Sequence, residues 1–436
     1  MNAQQHCEGG EFSGTNLPAA SARSTRTPAR GKWLFLGAFI FSCFLFWWLR
    51  SLLIRMVLRI PDPVDDETIE ISMLAASLFI AGYLLPRTRR TESLTSRTLL
   101  DACGSFAYWA TVVFFPFALI IALNLLSSRL GTEYGVGNAI PRAYQAVLYI
   151  HLFFGFMFLG AAEPKTHGER RIWVATLLVT LPRFIISIHG ARFFLAQAIV
   201  PALLIAVARG WIRFSIKRVL QIAGLALAII LVPAITRGSA IIGPDNGLAI
   251  FMDNNVLGLY QDNTDLDLNE KCPPLLVSLT AKTIPYGMLG ACVVDFAGLK
   301  NMPATLDRIL TNNDPTSFHG TAAGSGSVYL LELYLSGGIA AVLLGSALFG
   351  FSCRMFVGWL GKRSLFSGIW AECLTRALLA PRGNLGYVYE RIPSLVLATL
   401  LVIAMVWAGR LLKLEYAVTA AASGERGQGV ARELSS

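Results

Sequence analysis

Charged residues are scarce in this sequence. Asp, Glu, Lys and Arg make up 15% of the 436 residues, against roughly 25% in a typical soluble domain, while hydrophobic residues make up 54%. A soluble globule of this size needs more charge than this to cover its surface. The composition therefore excludes a water-soluble fold for most of the chain and indicates a membrane protein.

Signatures of metal and nucleotide chemistry are also missing. The seven Cys residues show no metal-type spacing, there is no acidic triplet for a divalent metal, and the segment GTAAGSG is not followed by the Lys and Ser or Thr of a phosphate-binding loop. The net charge of +10 does not indicate nucleic-acid binding, because the basic residues form short clusters between apolar blocks. We therefore predict no metal, no cofactor and no nucleic-acid partner.

The apolar residues fall into blocks of about 16 to 23 residues, the length of a helix that crosses a hydrocarbon layer of about 30 Å. Such blocks must be helical, because lipid offers no hydrogen-bond partner to backbone N–H and C=O groups. We predict an all-α, polytopic integral membrane protein with about ten transmembrane helices. The predicted helices cover residues 33–49, 69–85, 104–126, 143–162, 172–188, 193–208, 219–235, 335–351, 365–380 and 392–409.

Lys and Arg residues predict the orientation of these helices, since short cytoplasmic loops are enriched in both. Basic loops alternate with the others along the chain, which places both termini in the cytoplasm; the basic loops are 87–97, 165–171, 209–218 and 354–363. The predicted divisions are a disordered cytoplasmic tail (1–32), seven transmembrane helices (33–236), a large outer loop (237–326), three transmembrane helices (327–412) and a cytoplasmic tail (413–436).

The outer loop at 237–326 carries nine acidic and five basic residues and is rich in Gly, Pro, Asn and Asp. Loops of this length are usually functional. Its apolar segment 284–299 is short and contains Asp295, so we predict a re-entrant or interfacial helix there rather than a further span. Cys272 and Cys292 share the loop. An oxidising compartment would allow a disulfide between them, and the sequence does not decide whether it forms.

Ionisable side chains near the outer ends of the predicted helices are the candidate site residues, because charge at membrane depth is costly. The residues near the outer face are Arg183, His189, Arg192, Arg237 and Arg382, and Glu372 and Arg376 lie somewhat deeper, facing the interior of the bundle. Guanidinium groups bind phosphate bidentately and stay charged at any pH, so the set suits a lipid-linked pyrophosphate. A structural interpretation stays open as well, in which Arg183 and Arg192 reach lipid head groups and Glu372 with Arg376 forms an i,i+4 pair.

Two further ionisable residues lie where the outer loop ends. His319 precedes the segment GTAAGSG, and an unperturbed pKa of about 6.5 suits histidine to act as a general base at neutral pH. A surface histidine without a role is the alternative. Glu332 lies in YLLELYL, where it either faces the bundle or caps the approach to the next helix.

Three segments stand out by their motifs: GSGSVYLLELYLSGGIAAVLLGSALFGF, IHGARFFLAQAIVPALLIAVARG and RALLAPRGNLGYV. They resemble motifs of the bacterial O-antigen and oligosaccharide repeat-unit polymerases. The first resembles the family's Gly/Ser-rich loop end, with its Tyr/Leu/Glu run and Gly-led helix. IHGARFFLAQAIVPALLIAVARG resembles the Arg-bearing junction between middle helices, and RALLAPRGNLGYV resembles the RG element before the last helix. The resemblance covers the whole chain in layout and only these segments in motif.

The resemblance implies a helical-membrane glycosyltransferase fold of the GT-C-like type, shared with the O-antigen ligases. It implies a bacterial inner-membrane protein whose large loop and active site face the periplasm. The implied reaction is metal-independent polymerisation of oligosaccharide repeat units on undecaprenyl pyrophosphate: an acceptor hydroxyl attacks the anomeric carbon and the polyprenyl pyrophosphate leaves. The implied product is O-antigen lipopolysaccharide or a related surface polysaccharide, and a chain-length regulator would be a further partner.

By position, Arg192 and Arg382 match the family's arginine elements best, and Arg183 and Arg376 match less well. His319 would be the base by analogy with the ligases. Ligases place this His directly before a short helix, whereas GTAAGSG intervenes here, which favours a polymerase. The alternatives are an O-antigen ligase acting on lipid A core, a flippase or transporter of lipid-linked sugars, and a non-catalytic scaffold. No internal repeat of the kind common in transporters is visible.

Overall fold

The computed structural model describes residues 27–52, 55–56, 64–85, 96–129, 142–187, 192–212, 329–382, 385–389 and 392–433. Several predictions lie outside this part of the chain: the helix at 219–235, the loop at 237–326, and the residues His189, Arg237, Cys272, Cys292 and His319. The described part is almost entirely helical and contains no strand, so the predicted all-α class is confirmed there.

The α-helices of the described part are α1 (Thr27–Cys43), α2 (Leu49–Leu52), α3 (Asp66–Leu84), α4 (Arg97–Arg129), α5 (Arg142–Ala161), α6 (Pro164–His167), α7 (Glu169–Ser187), α8 (Arg192–Ala208), α9 (Tyr329–Leu360), α10 (Ser367–Leu379), α11 (Leu385–Tyr389) and α12 (Ile392–Glu433). A π-helical turn, Phe44–Trp48, joins α1 to α2, and a 3-10 turn, Ala380–Arg382, follows α10.

Five helical segments of the described part are long and apolar enough to cross a membrane: Gly31–Trp48, Asp66–Leu84, Arg97–Ser127, Tyr329–Leu360 and Ile392–Leu412. They coincide with five of the predicted spans, so the chain is an integral membrane protein by length and composition of its helices. The helices α5, α7, α8 and α10 fall on four further predicted spans.

The outside of the bundle is apolar. Trp33, Trp109 and Met405 expose about 60% of their surface or more, and other large apolar side chains surround them. Only 11% of the apolar window in α12 and 28% of that in α4 are buried inside the protein. In water such a surface would drive aggregation, whereas in a bilayer it contacts lipid at no cost.

Small residues let α3 and α9 cross at very short range. Gly82 of α3 faces the carbonyl oxygen of Ala347, and Gly350 of α9 faces the carbonyl oxygen of Phe79; a Cβ at either glycine would overlap that oxygen. Next to this crossing, the rings of Phe39 and Phe79 stack with centroids 3.7 Å apart. In lipid no hydrophobic driving force pushes helices together, because lipid tails are as apolar as the side chains. Helices there usually associate by close backbone packing through small residues.

Helix α9 is a hairpin rather than one straight helix. The backbone turns at Gly337 and Gly338, where Gly338 has φ 65° and ψ −158°, a conformation that glycine alone adopts easily. The two arms, 329–336 and 339–360, run back along each other: the rings of Tyr329 and Phe349 are 5.6 Å apart, although a straight helix would separate them by about 30 Å. The prediction of a span beginning at 335 missed the first arm, which returns into the bundle.

Helix ends meet in two groups, one at each end of the bundle. At the first, which we call the basic end, Tyr83 donates to the carbonyl of Lys32, Arg209 donates to the carbonyl of Ala162, and Arg410 donates to the carbonyl of Thr98. These bonds bring together the starts of α1 and α4, the ends of α3, α5 and α8, and the middle of α12.

The other group, the distal end, holds the end of α7, the starts of α8 and α12, and the turn after α10. The described helices thus alternate in direction.

Candidate functional site

Arg209 ties three inter-helix connections together at the basic end. Its guanidinium donates to the carbonyls of Ala162 at 2.8 Å and Lys362 at 3.1 Å, and also to the carbonyl of Gly160. Burial of the side chain and the nearby Arg363 cation lower the pKa of Arg209 to about 10, which leaves it charged at neutral pH. Because α5 and α9 end here and the last carbonyls of a helix lack intrahelical partners, Arg209 supplies donors to them, and the backbone N–H of Ser364 also donates to the carbonyl of Gly160.

Arg363 makes the second link at this end. It forms a salt bridge with Asp101 at the start of α4 and a longer one, 3.4 Å, with Glu163 after α5. His167 lies beside this network, and its Nδ1 accepts a 3.4 Å bond from the backbone N–H of Glu163. Burial lowers the pKa of His167, with Arg363 adding to that effect and Asp101 opposing it. The basic loops that predicted orientation therefore also hold the helix ends in place.

Arg183 is the first predicted site residue whose side chain the structure describes. It lies in the last part of α7, only 1% exposed, and donates to the carbonyl of Leu148 in α5 at 3.1 Å. Its guanidinium lies 5.3 Å from the ring of Tyr149. A cation kept inside apolar helices in this way is costly unless it has a task or full compensation. The alternative interpretation, in which Arg183 reaches outward to lipid head groups, is wrong, since its side chain is buried inside the bundle.

Arg376 and Glu372 form the second buried charged group. They lie one turn apart in α10, with Nη2 of Arg376 2.9 Å from Oε1 of Glu372 and side-chain exposures of 1% and 8%. The sequence left open whether the two form a structural i,i+4 pair or an anion site. The pair is present, and it holds a positive and a negative charge near the distal end of α10.

Glu332 lies in the first arm of the α9 hairpin and is fully buried. Its Oε2 accepts a 2.7 Å hydrogen bond from the backbone N–H of Leu385, the first residue of α11. A carboxylate at a helix start accepts a hydrogen bond from an N–H group without an intrahelical partner. The positive end of the helix dipole also stabilises its negative charge. Of the two predictions for Glu332, facing the bundle and capping, the structure has both, although the helix that it caps is α11.

Arg192 and Arg382 are described by their backbone positions. Arg192 is the first residue of α8, and Arg382 ends the 3-10 turn after α10. Beside Arg382, the carbonyl of Pro381 accepts a 2.7 Å bond from the indole of Trp47, and this bond connects the end of the first span to the turn. Both arginines lie at the distal end. Arg183 and Arg376 lie in the halves of α7 and α10 that are nearer to this end.

Two buried polar residues were missed by the sequence reasoning. Gln197 of α8 is fully buried, and His151 of α5 is 1% exposed. Within the described residues neither the amide of Gln197 nor Nε2 of His151 has a hydrogen-bond partner. Both interrupt apolar runs, FFLAQAIV and LYIHLFF, and that interruption was the signal available in the sequence. They add polar groups to the interior in which Arg183, Glu372 and Arg376 lie.

The described residues include no group of three His, Cys, Asp or Glu side chains that could hold a metal ion. The chain matches no protein-family model, no curated protein and no solved structure. Function must therefore be argued from the side chains themselves. What they offer is positive charge and hydrogen-bonding capacity buried toward one end of an apolar helical bundle.

Proposed function

We propose that this protein is a membrane-embedded glycosyltransferase that polymerises oligosaccharide repeat units carried on undecaprenyl pyrophosphate. The observation that carries the proposal is the gathering of four arginines toward the distal end: Arg183 and Arg376 buried within helices, and Arg192 and Arg382 at helix boundaries. A departing pyrophosphate develops negative charge, and fixed guanidinium groups in a low-dielectric site stabilise that charge.

The finer fold belongs to the same proposal. We infer ten spans in a GT-C-like bundle, with both termini cytoplasmic and the distal end facing the periplasm. The alternating directions of the described helices support this count, because α8 ends at the basic end whereas the first arm of α9 turns at the distal end. The predicted span at 219–235, which lies outside the described residues, would join these two ends.

The arginines divide into two roles in this mechanism. Arg192 and Arg382, at helix boundaries, would contact the pyrophosphate of the donor. They would do so as the bond between the anomeric carbon and the pyrophosphate oxygen breaks. Arg183 and Arg376 already bind a carbonyl and a carboxylate, so they would act without contacting the pyrophosphate. They would fix the positions of the helix ends and add to the positive potential there. The acceptor hydroxyl must lose its proton as it attacks, and His319 stays the predicted base.

The test is the surface polysaccharide of a strain that lacks this gene. For a polymerase, the long-chain ladder on a gel disappears while a single capping repeat remains; loss of every repeat would indicate a ligase or flippase and would contradict the proposal. Complementation with Arg192→Ala or Arg382→Ala should fail to restore the ladder, with membrane insertion unchanged.

A matched control for these variants is Arg97→Ala, which removes an exposed arginine at the basic end. This variant should restore the ladder fully. An unchanged ladder in both the Arg192 and Arg382 variants would rule out the pyrophosphate site even if the protein were a polymerase.

A further inference from the structure

An apolar groove lies between α7 and α8, and its mouth is at the basic end, opposite to the distal arginines. Its cavity has a volume of about 350 Å³. One wall is the face of α7 that carries Ile172, Thr176 and Thr180; the other is the face of α8 that carries Ile199 and Leu203, and Leu159 of α5 forms part of the floor. The neighbouring side chains Leu177 and Phe184 are half exposed or more, so the groove opens on the apolar outside of the bundle.

The groove walls are mainly apolar between the two helices. Thr176 and Thr180 are the hydroxyl-bearing residues of the lining, and each donates its hydroxyl to a carbonyl of its own helix, at 2.9 Å to Ile172 and 2.9 Å to Thr176. Their hydroxyl hydrogens are therefore bonded within α7. With the aliphatic lining of both walls, the groove suits a hydrocarbon chain.

Polar and aromatic residues gather where the groove reaches the basic end. Trp173 and Trp211 line this mouth, and tryptophan prefers the interface between hydrocarbon and water. Pro164 and Glu169 line it too, and their chain neighbours Lys165, Arg170 and Arg171 are exposed cations. Arg171 lies over the ring of Tyr108 in α4. Lys165, Arg170 and the Arg209 guanidinium, 5.4 Å from the ring of Trp211, outnumber the carboxylates of Glu163 and Glu169, so the mouth is positive.

We propose that this groove binds an anionic phospholipid, with one acyl chain between α7 and α8 and the phosphate at the mouth beside Lys165 and Arg170. The lining runs from Glu169 to Thr180, about 16 Å along the helix axis, which matches the greater part of an acyl chain. A zwitterionic head group would gain little at a positive mouth, whereas an anionic one gains attraction from each nearby Lys or Arg. The site lies at the end opposite to the proposed pyrophosphate site, so the two proposals stand or fall separately.

Native mass spectrometry of the full-length protein tests this proposal. The protein is reconstituted with an equimolar mixture of phosphatidylglycerol and phosphatidylcholine, and the lipids retained after gentle removal of detergent are counted. We expect one retained phosphatidylglycerol per chain and about fivefold weaker retention in Arg170→Gln, which removes one cation at the mouth. Arg97→Gln, an equal charge change at the same end but outside the groove, should retain the lipid as the wild type does.

Two variants from opposite walls, Thr180→Trp and Ala206→Trp, fill the groove and should abolish retention. Ala81→Trp, on the exposed surface of α3, is the control for added bulk. Equal retention of both lipids would overturn the head-group assignment. Unchanged retention in both groove variants would overturn the site, and so would the absence of any retained lipid in the wild type, which would indicate that another segment of this chain or a second copy fills the groove.

Discussion

Charged side chains in this bundle have different tasks at its two ends. At the basic end, Arg209 and Arg363 bind carbonyls and carboxylates of connections between helices. At the distal end, Arg183 and Arg376 are held inside the helices themselves. The sequence predicted both groups, because a charged arginine in or beside an apolar block is energetically costly and is kept where it has a partner or a function. It did not predict which arginines bind structural partners, since these contacts join residues up to 262 positions apart.

The Glu372–Arg376 pair allows stability to be separated from catalysis. Glu372→Met or Arg376→Met alone should lower the free energy of unfolding by about 3 to 5 kcal/mol, because each leaves a buried charge without its opposite charge. The double variant Glu372→Met with Arg376→Met should recover most of that loss. Thermal unfolding in detergent measures both effects.

Chain extension by the same variants shows whether Arg376 is needed beyond the pair. If it supports the pyrophosphate site, the double variant regains stability but does not regain activity. A double variant that is as unstable as the sum of the two single variants would show that the charges are not coupled, contrary to the 2.9 Å contact.

His167 should make the stability of the basic end depend on pH. Its pKa in the folded protein is lowered from the ordinary 6.5, mainly by burial, so the unfolded chain binds the proton more tightly. Its contribution is therefore complete above pH 6.5 and is lost as pH falls below that value toward the lowered pKa. The melting temperature should fall between pH 7 and pH 5.

The variant His167→Asn is the control, because an amide oxygen can accept the Glu163 N–H bond and does not titrate. It should lack this part of the pH dependence. Parallel melting curves for the wild type and His167→Asn over the whole range would show that His167 does not carry the effect.

At the scale of elements, hydropathy located the helices well and the α9 hairpin poorly. Nine of the ten predicted spans lie in described residues, and each falls on a helix of the structure. A hydropathy window averages over about 19 residues, so it does not resolve a turn such as Gly337–Gly338 inside an apolar run. The close crossing of α3 and α9 was equally invisible, because it depends on which glycines of two distant segments face each other.

The crossing of α3 and α9 yields a direct test of packing. Gly350→Ala places a methyl group against the carbonyl oxygen of Phe79, so the helices must separate, and we expect a loss of about 2 kcal/mol or more in the free energy of unfolding. Gly37→Ala is the matched control, since no atom lies within 4 Å of its added methyl group. Equal melting temperatures for the two variants would show that α3 and α9 do not meet at Gly350.

At the scale of the whole molecule, the alternation of helix ends carries the topology. The bonds of Tyr83, Arg209, Arg363 and Arg410 gather one set of helix ends, and basic residues concentrate there as they do on the cytoplasmic side of membrane proteins. The sequence predicted that the basic loops lie at the same end of the bundle, and the structure has them there. It could not place the arginines of the distal end relative to one another, because that requires the packing of α7, α8 and α10.

Orientation can be measured with single cysteines in a cysteine-free background. Lys165→Cys lies at the basic end and Glu67→Cys at the distal end, and both side chains are exposed. A membrane-impermeant maleimide added to cells with a permeabilised outer membrane should label Glu67→Cys and leave Lys165→Cys unlabelled until the inner membrane is opened. The reverse pattern would invert the topology and place the distal arginines on the cytoplasmic side.

The central claim is that the distal end transfers glycan chains from a polyprenyl pyrophosphate. The most direct measurement gives the purified full-length protein, in lipid nanodiscs with EDTA, the undecaprenyl-pyrophosphate-linked repeat unit of its own host. We predict products of increasing length and one undecaprenyl pyrophosphate released for each repeat added, with Arg97→Ala active and Arg382→Ala inactive. Intact nanodisc-embedded protein that neither lengthens the glycan nor releases undecaprenyl pyrophosphate would contradict the account.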